Sequence, residues 1–218
     1  MAKRFELVVF DWDGTLMDSA AAIVTAIQSA CRDLGLPEPT DAQARHVIGL
    51  GLEDAMRLAV PALAASDYPR MVERYRHHYL PRDHELTLFS GVPELIRELK
   101  DAGHFLAVAT GKSRVGLARA LEVSGLGPHF HATRCADECF SKPHPQMLEE
   151  LMEELGVQRQ ATVMIGDTTH DLLMAANAGV ASLAVSYGAH EPDALASQSP
   201  LATFSRVTEL SAWLKANA

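Results

Sequence analysis

The chain has 218 residues, of which 48% are hydrophobic and 22% are charged, a composition that excludes a disordered or fibrous chain. Lys and Arg number 19 against 28 Asp and Glu, so the net charge is −9. This balance argues against nucleic acid or an anionic membrane as a partner, and no apolar run reaches the ~20 residues of a transmembrane helix. Three cysteines without a secretion signal favour reduced thiols and a cytoplasmic location.

The first part of the chain combines one apolar run with a long helical stretch. Residues Leu7–Phe10 are all apolar and predict a buried strand. Residues 15–90 contain no convincing strand, and apolar residues recur at helical spacing from residue 23 to residue 34. Further helices are predicted over 43–48, 52–60 and 67–79. A crossover between parallel strands needs one helix rather than about 75 residues. We therefore predict that residues 15–90 form an all-helical cap domain inserted after the first strand.

From residue 91 onwards, predicted helices and strands alternate. The helices are expected over 92–102, 113–123, 143–155 and 207–215. The strands are expected over 105–109, 162–165 and 180–185, with weaker candidates at 129–133 and 202–204. Uninterrupted apolar runs are typical of strands that are covered on both faces. The pattern predicts an α/β fold, with a Rossmann-like parallel sheet core made of residues 1–14 and 91–218.

Polar side chains follow directly after the strongest apolar runs, or lie in a loop rich in proline. Parallel α/β sheets bind their ligands at the carboxyl ends of the strands, so this placement indicates a functional site. Four segments carry these side chains: Asp11-Trp12-Asp13-Gly14-Thr15, Thr110-Gly111-Lys112, Ser141-Lys142-Pro143 and Gly166-Asp167-Thr168-Thr169-His170-Asp171.

The residue types in these segments suit a cation and a phosphate. Four carboxylates that converge would repel one another without a cation, and a site made only of oxygen ligands with open positions suits Mg²⁺. The hydroxyl and the approachable backbone N–H groups at Thr110 and Gly111 suit phosphate oxygens. The sequence therefore predicts a magnesium site next to a phosphate site.

In this order, the four segments resemble the four motifs of the haloacid dehalogenase superfamily. The resemblance covers essentially the whole chain, and the nearest subgroup is that of the phosphoglycolate phosphatase-like hydrolases. It implies a HAD-like core with a small helical cap and a phosphatase activity. In this family Asp11 would be the nucleophile that forms an aspartyl-phosphate, and Asp13 would be the general acid and base. Members that act on carbon–halogen bonds lack an Asp at the second position.

The resemblance also implies a set of ligands. Mg²⁺ would be held by the Asp11 carboxylate, the Asp13 backbone carbonyl and Asp167, with help from Asp171. The phosphoryl oxygens would be held by Thr110, by the Gly111 N–H and by Lys142, which would also neutralise Asp11.

The helical insertion should select the substrate, because it would close over the strand ends. Within the loop at residues 48–53, Gly49, Leu50 and Leu52 would face the site. Sugar-phosphate mutases of the family carry a basic residue where this chain has Leu52, although Arg45 and Arg57 lie nearby. We expect a small phosphorylated metabolite as the partner, with phosphoglycolate as the first substrate to test, and a monomer or weak homodimer. A phosphomutase of the same fold and a non-catalytic phosphate-binding regulator are the alternatives.

Several polar residues allow two interpretations. Asp171 could cap the next helix instead of helping a metal. Lys112 lies beside the phosphate loop but could equally be a solvated surface lysine. His170 could face solvent, and His190 could rim the site or have no role there. His190 and the histidines at 77, 78, 84, 129, 131 and 144 show no metal-ligand spacing. Whether Lys112 or His190 touches the substrate is left open by the sequence.

Overall fold

The structure, a computed structural model, describes residues 4–218, so the first three residues of the predicted core segment 1–14 lie outside the described residues. Its centre is a parallel sheet of six strands in the order β3-β2-β1-β4-β5-β6. The predicted parallel α/β fold is confirmed. The strands are β1 (Leu7–Phe10), β2 (Phe105–Thr110), β3 (Ala132–Cys135), β4 (Thr162–Gly166), β5 (Ala181–Val185) and β6 (Thr203–Phe204).

The helices fall into two groups. Those between β1 and β2 are α1 (Ala20–Asp33), α2 (Asp41–His46), α3 (Leu52–Ala59), α4 (Tyr68–Tyr79) and α5 (Val92–Asp101). Those that follow are α6 (Arg114–Ser124), α7 (Gln146–Leu155), α8 (Thr169–Ala178), α9 (Pro192–Ala196) and α10 (Val207–Asn217). Short 3₁₀ turns occur at Ala65–Asp67, Leu80–Glu85, Gly127–His129 and Arg159–Ala161. Within residues 4–218, no helix is both long enough and apolar enough to cross a bilayer.

The central strand β1 is buried on both faces because alternate side chains enter different apolar layers. Val8 and Phe10 belong to a layer that includes side chains of α5, α6 and α10. Leu7 and Val9 belong to the opposite layer, which includes side chains of α7 and α8. This period of two explains why the strand is apolar throughout. It also fixes the end of β1, and therefore Asp11, rigidly in the middle of the sheet.

Helices α1 to α4 have an apolar cluster of their own. Ile27, Met56 and Met71 are fully buried within it. The segment that leads into this region and the segment that leads out of it lie next to each other, because the N–H of Phe89 donates to the carbonyl of Leu16 over 3.0 Å. The group of helices therefore stands on two adjacent chain segments close to the end of β1. The assignment of residues 15–90 to a separate cap domain remains our proposal.

Two short elements differ from the sequence-based predictions. The weak strand predicted at 129–133 is displaced: β3 spans Ala132–Cys135, and Gly127–His129 forms a 3₁₀ turn. Strand β3 lies at the sheet edge and contains Arg134, which pairs with Glu150 over 2.6 Å. A strand of such mixed polarity has little hydrophobic signal. Helix α9, only five residues long, was not predicted at all.

Candidate active site

The candidate active site lies at the carboxyl ends of β1 and β4. These two strands are neighbours although they are far apart in sequence. The strand order reverses between them, and this crevice is where parallel α/β sheets of this order bind their ligands. Asp11 follows β1 directly, Asp167 follows β4, and Thr110 ends β2. The sheet thus brings together three of the predicted segments.

Asp11 is completely buried and lies beside a buried lysine. Its Oδ1 is 2.8 Å from Lys142 Nζ, yet neither carboxylate oxygen accepts a well-aligned hydrogen bond from the residues that the structure describes. Burial raises the pKa of Asp11 well above its usual value, and Lys142 only partly opposes this effect. A buried carboxylate in this state calls for further positive charge.

Lys142 joins two of the aspartates. Its Nζ donates to Asp171 Oδ1 over 2.6 Å and is fully buried. Burial alone would lower the pKa of this ammonium group, but the charges of Asp11 and Asp171 raise it above the usual value. Lys142 is therefore held as a cation between the carboxylates.

Asp167 is held tightly by its surroundings. Its Oδ1 accepts a hydrogen bond from the Thr15 hydroxyl (2.8 Å), and its Oδ2 accepts one from the Ala189 N–H (2.7 Å). A Cβ atom on Gly14 or on Gly188 would overlap Oδ2. Burial, followed by the charge of Asp171, raises the pKa of Asp167 to about 7. These glycines explain how two loops can close around one carboxylate.

Three aspartates meet at one point. One carboxylate oxygen from each of Asp11, Asp167 and Asp171 lies within 4.8 Å of the others. An all-oxygen cluster that is buried and short of positive charge suits a hard divalent cation. The three side chains predicted as metal ligands therefore converge. The predicted ligand from Asp13 is its backbone carbonyl, and that assignment stays a prediction.

Asp171 caps the next helix, which is one of the two interpretations left open by the sequence, and its help to a metal stays a prediction. Its Oδ2 accepts hydrogen bonds from the N–H and the hydroxyl of Thr168 (3.1 and 2.7 Å), and its own N–H donates to Thr168 Oγ1 over 3.3 Å. This capping box starts α8. The same side chain also turns its Oδ1 towards Lys142.

Asp13 is not one of the three clustered aspartates, and its contacts with other side chains are made through a single oxygen. Its Oδ1 accepts a hydrogen bond from the Ser19 hydroxyl (2.7 Å) and lies 3.1 Å from Lys112 Nζ. Lys112 also donates to the Tyr79 hydroxyl over 3.0 Å, and its side chain is 11% exposed. The interpretation of Lys112 as a solvated surface lysine is therefore wrong.

The loop before α3 covers the site from above. Gly49 has a φ of +91°, and a Cβ atom there would lie 3.9 Å from Asp11 Oδ2. A Cβ atom on Gly111 would overlap the carbonyl oxygen of Leu50 and lie 2.6 Å from that of Gly49. The Gly51 N–H donates to Ser141 Oγ over 2.8 Å. The predicted specificity loop thus rests on the predicted phosphate loop, backbone against backbone.

Residues 8–185 match the profile of the family described as haloacid dehalogenase-like hydrolase. The chain belongs to this family. The resemblance that the four sequence motifs indicated is thereby confirmed.

Similar proteins agree with this assignment. The chain is 40% identical to a protein named probable phosphatase IndB from Dickeya dadantii, over 92% of this chain and 91% of the other. It is 31% identical to a phosphoglycolate phosphatase of Vibrio vulnificus (91% of each chain) and 32% identical to a 5′-nucleotidase of Pseudomonas aeruginosa (91% and 90%). The prediction of a hydrolase related to phosphatases is therefore confirmed.

A solved structure supports the fold. The predicted phosphoglycolate phosphatase from Haemophilus somnus 129PT superimposes with a TM-score of 0.87, covering 96% of this chain and 98% of the other at 24% identity. At this level of identity the likeness concerns the architecture. The HAD-like α/β fold is confirmed.

A histidine cluster beside the motifs of this family was missed by the sequence analysis. Nitrogens of His46, His170 and His190 lie within 4.8 Å of one another. The sequence analysis did not consider His46, which is 124 and 144 residues away from its two partners. His170 and His190 are both buried, so His170 does not face solvent.

The hydrogen bonds of this cluster argue against a metal ion. The Thr169 N–H can only donate, and it donates to His190 Nδ1 over 3.0 Å. His190 Nε2 must then carry the proton, and it donates to the His46 carbonyl over 3.2 Å. His170 Nε2 lies 2.7 Å from the same carbonyl. Burial and the neighbouring His170 lower the pKa of His190 to about 4. His170 and His190, whose pKa values are both lowered by burial, therefore join the end of α2 to the sheet region.

A cavity of about 650 Å³ lies between helices α1 to α4 and the sheet. It reaches Asp13 and Lys112 at one end. The loop residues Gly49, Leu50 and Leu52 all line it. The three residues predicted to select the substrate therefore face one common space next to Asp13.

Proposed function

We propose that this hydrolase is a Mg²⁺-dependent phosphatase that cleaves a small phosphomonoester through an aspartyl-phosphate intermediate. The observation that carries the proposal is the Asp11 carboxylate, which is buried at the end of β1 and short of hydrogen bonds. It lies 2.8 Å from Lys142 and shares a cluster with Asp167 and Asp171. Little covalent work is left to the protein in phosphoryl transfer, so a positioned nucleophile amid balanced charge is what the reaction requires.

The residues present fit a magnesium ion. Asp11, Asp167 and Asp171 would hold it, and the unpartnered oxygens and raised pKa of Asp11 support a missing positive charge there. When bound, Mg²⁺ would neutralise carboxylate and phosphoryl charge.

The first half of the reaction transfers the phosphoryl group to the protein. The Thr110 hydroxyl, the Gly111 N–H and Lys142 hold the phosphoryl oxygens. A carboxylate oxygen of Asp11 forms a bond to phosphorus while the bond from phosphorus to the leaving oxygen breaks. Asp13 donates its proton to that leaving oxygen, which departs as an alcohol.

The second half returns the protein to its starting state. Asp13, now a carboxylate, takes a proton from water, and the water oxygen attacks phosphorus. The bond between phosphorus and Asp11 breaks, so inorganic phosphate leaves and Asp11 is free again. Asp13 can serve in both steps because Ser19 and Lys112 both hold its Oδ1, which leaves Oδ2 for proton transfer.

A phosphatase is favoured over a mutase by the charges around the cavity. A mutase must grip a second phosphate, and Leu52 stands where its basic residue would be. The next residue, Glu53, is acidic and lines the cavity, and it pairs over 3.0 Å with Arg57, which is not part of the cavity wall. A phosphorylated small metabolite is the proposed substrate, with phosphoglycolate as the reference compound. A cytoplasmic location and a monomeric or weakly dimeric state remain predictions.

The test measures phosphate release from a panel of phosphomonoesters. We expect turnover with Mg²⁺, no turnover in a chelator, and recovery when Mg²⁺ is restored. Asp11→Asn should lower kcat by about 10⁴-fold because it removes the nucleophile. Asp18→Asn, at an exposed aspartate of the same segment, is the matched control and should keep full activity.

The rival functions give different products. A mutase would return an isomerised phosphate ester without releasing phosphate. A regulator would bind phosphate compounds and turn over none of them. Either result, or an active Asp11→Asn variant, would refute the proposed function.

A further inference from the structure

The carbonyl of His46 attaches helices α1 to α4 to the region beside the aspartate cluster. His46 ends α2, and the last carbonyls of a helix find no partner within that helix. Nε2 of His170 lies 2.7 Å from this oxygen, and Nε2 of His190 lies 3.2 Å from it. Because a carbonyl can only accept, each imidazole donates its Nε2–H. The two histidines thus supply one donor for each lone pair of this oxygen.

The segment that follows this carbonyl is the loop that covers Asp11. Gly49 comes three residues after His46. A Cβ atom on Gly49 would lie 3.2 Å from Thr168 Oγ1 and 3.9 Å from Asp11 Oδ2. A chain of planar peptide groups has only two soft dihedral angles per residue. Fixing the His46 carbonyl therefore restricts where Gly49 can lie over Asp11.

Both histidines belong to segments that carry aspartates of the cluster. The His190 N–H donates to the Asp167 carbonyl over 3.3 Å, and His190 Nδ1 accepts from the Thr169 N–H over 3.0 Å. His170 lies in the first turn of α8, directly before Asp171. Both histidines are buried. The loop is therefore anchored to the same backbone that places the aspartates.

The packing of the imidazole rings gives this contact a defined geometry. The ring of His46 stacks on that of His190, with centroids 5.3 Å apart and an interplanar angle of 14°. The ring of His170 packs against both, with centroid distances of 5.4 and 5.2 Å. None of these three histidines lines the cavity beside Asp13. The cluster therefore attaches two segments to each other and does not contact the leaving group.

We propose that His170 and His190 are positioning residues whose hydrogen bonds to the His46 carbonyl hold the loop before α3 closed over Asp11. This inference rests on the proposed function, because a closed loop matters only if Asp11 reacts with a substrate beneath it. When the donors are removed, the loop lifts, water reaches the reacting groups and the leaving group loses its fixed position. The aspartate cluster itself keeps its own partners, since Asp167 is held by Thr15 and Ala189.

The first experiment measures hydrogen exchange of the Gly51 N–H by NMR in the substrate-free protein with Mg²⁺. This N–H donates to Ser141 Oγ over 2.8 Å, so it exchanges when the loop lifts. His170→Leu should raise the exchange rate about fivefold, which is the size of one lost hydrogen bond. His170→Gln restores an N–H donor and should bring the rate back close to that of the unmodified protein. Equal rates in His170→Leu and the unmodified protein, or in the two variants, would overturn the inference.

The second experiment separates the loop from the metal site. His170→Leu should lower kcat/KM for the best-cleaved ester of the panel about fivefold, because the reacting complex must be closed. His170→Gln should recover most of this loss. The Kd of Mg²⁺, measured by isothermal titration, should stay at the value of the unmodified protein in both variants. A Kd that rises as much as kcat/KM falls would show that His170 acts on Asp171 instead of the loop, and would overturn the inference.

His77→Leu is the matched control, and His190→Leu tests the second donor. His77 is an exposed histidine of α4 outside the cavity, so its loss should change neither Gly51 exchange nor kcat/KM. His190→Leu should raise Gly51 exchange as His170→Leu does, and an unchanged rate would overturn the role of His190. Absence of turnover by the unmodified protein would refute the phosphatase function itself. Hydrogen exchange would still test how the loop is held, so the two failures are distinguishable.

Discussion

At the scale of single residues, Lys112 is the side chain whose position changes the interpretation of the site most. It follows the phosphate loop, yet its Nζ turns to Asp13 Oδ1 (3.1 Å) and to the Tyr79 hydroxyl (3.0 Å). Burial alone would lower the pKa of this ammonium group, but the charge of Asp13 raises it above the usual value. Lys112 therefore positions Asp13 and links it to α4.

Lys112→Met should lower kcat by about tenfold, because Asp13 loses one of the two groups that orient its proton-transfer oxygen. Steady-state phosphate release measures the effect. Lys215→Met is the matched control, since Lys215 is an exposed lysine paired with Glu98 on α5, away from the site. A Lys112→Met variant with the kcat of the control would show that Lys112 does not position Asp13.

The sequence could predict some of these residues because their signal is local. Asp11 and Asp167 each interrupt an apolar run at its end, which is visible in a single segment. The partners of Lys112 are not local: Tyr79 lies 33 residues earlier, at the end of α4. The same holds for His46, whose ring and carbonyl meet residues from the far end of the chain. A contact between two segments that are distant in the chain cannot be recognised from the sequence of either segment alone.

At the scale of elements, the region of α1 to α4 touches the sheet region at points that surround the site. The carbonyls of Gly49 and Leu50 lie against Gly111, and the Gly51 N–H donates to Ser141. The end of α2 accepts from two buried histidines. These contacts place the loop before α3 over Asp11. Closure of this kind excludes water from the reacting groups.

Gly111→Ala should disturb this closure directly. The new Cβ atom would overlap Leu50 O and lie 2.6 Å from Gly49 O, and backbone atoms cannot yield as a flexible side chain can. The loop must move away, so we expect kcat/KM to fall by about a hundredfold. The melting temperature should fall by only a few degrees, because the core remains packed.

Gly127→Ala provides the control for this variant. A Cβ atom there would meet nothing closer than 3.7 Å, so kcat/KM should stay at the wild-type value. If Gly111→Ala matched Gly127→Ala in kcat/KM, the loop would not need to lie against residue 111 for catalysis.

Helices and strands that are buried were predicted from the sequence more accurately than those that are exposed. Strands β1, β2, β4 and β5 lie inside the sheet and are apolar almost throughout, so their sequences reveal them. The edge strand β3 contains Arg134, whose charge is balanced by Glu150 and Glu154 on α7. Its strand character comes from pairing with β2 rather than from its own side chains. The five-residue helix α9 is likewise fixed by its surroundings and not by periodicity.

At the scale of the whole molecule, the protonation of the aspartate cluster makes the free energy of unfolding depend on pH. The pKa of Asp167 rises from 3.8 to about 7 on folding, so the folded state binds more protons between these pH values. Without Mg²⁺, this group makes the free energy of unfolding fall as pH rises through that range. His190, whose pKa falls from 6.5 to about 4, acts in the opposite direction between pH 4 and 6.5.

The stabilisation of the fold by Mg²⁺ should therefore grow with pH. We compare the Tm with Mg²⁺ to the Tm with chelator at the same pH. His190 contributes equally to both values, so its effect drops out of the difference. At pH 8, Mg²⁺ at a hundred times its Kd should add about 2.7 kcal/mol to the free energy of unfolding, or roughly 5–10 °C in Tm. At pH 5.5 the ion must displace protons held by Asp167 and Asp11, so the stabilisation by Mg²⁺ should be clearly smaller than at pH 8. Asp167→Asn should shrink the Mg²⁺-induced Tm shift at pH 8 itself, because it removes a proposed ligand, and Asp18→Asn should retain both the shift and its pH dependence. Equal Mg²⁺-induced Tm shifts at pH 5.5 and pH 8 in the unmodified protein would show that Asp167 does not surrender a proton to the metal.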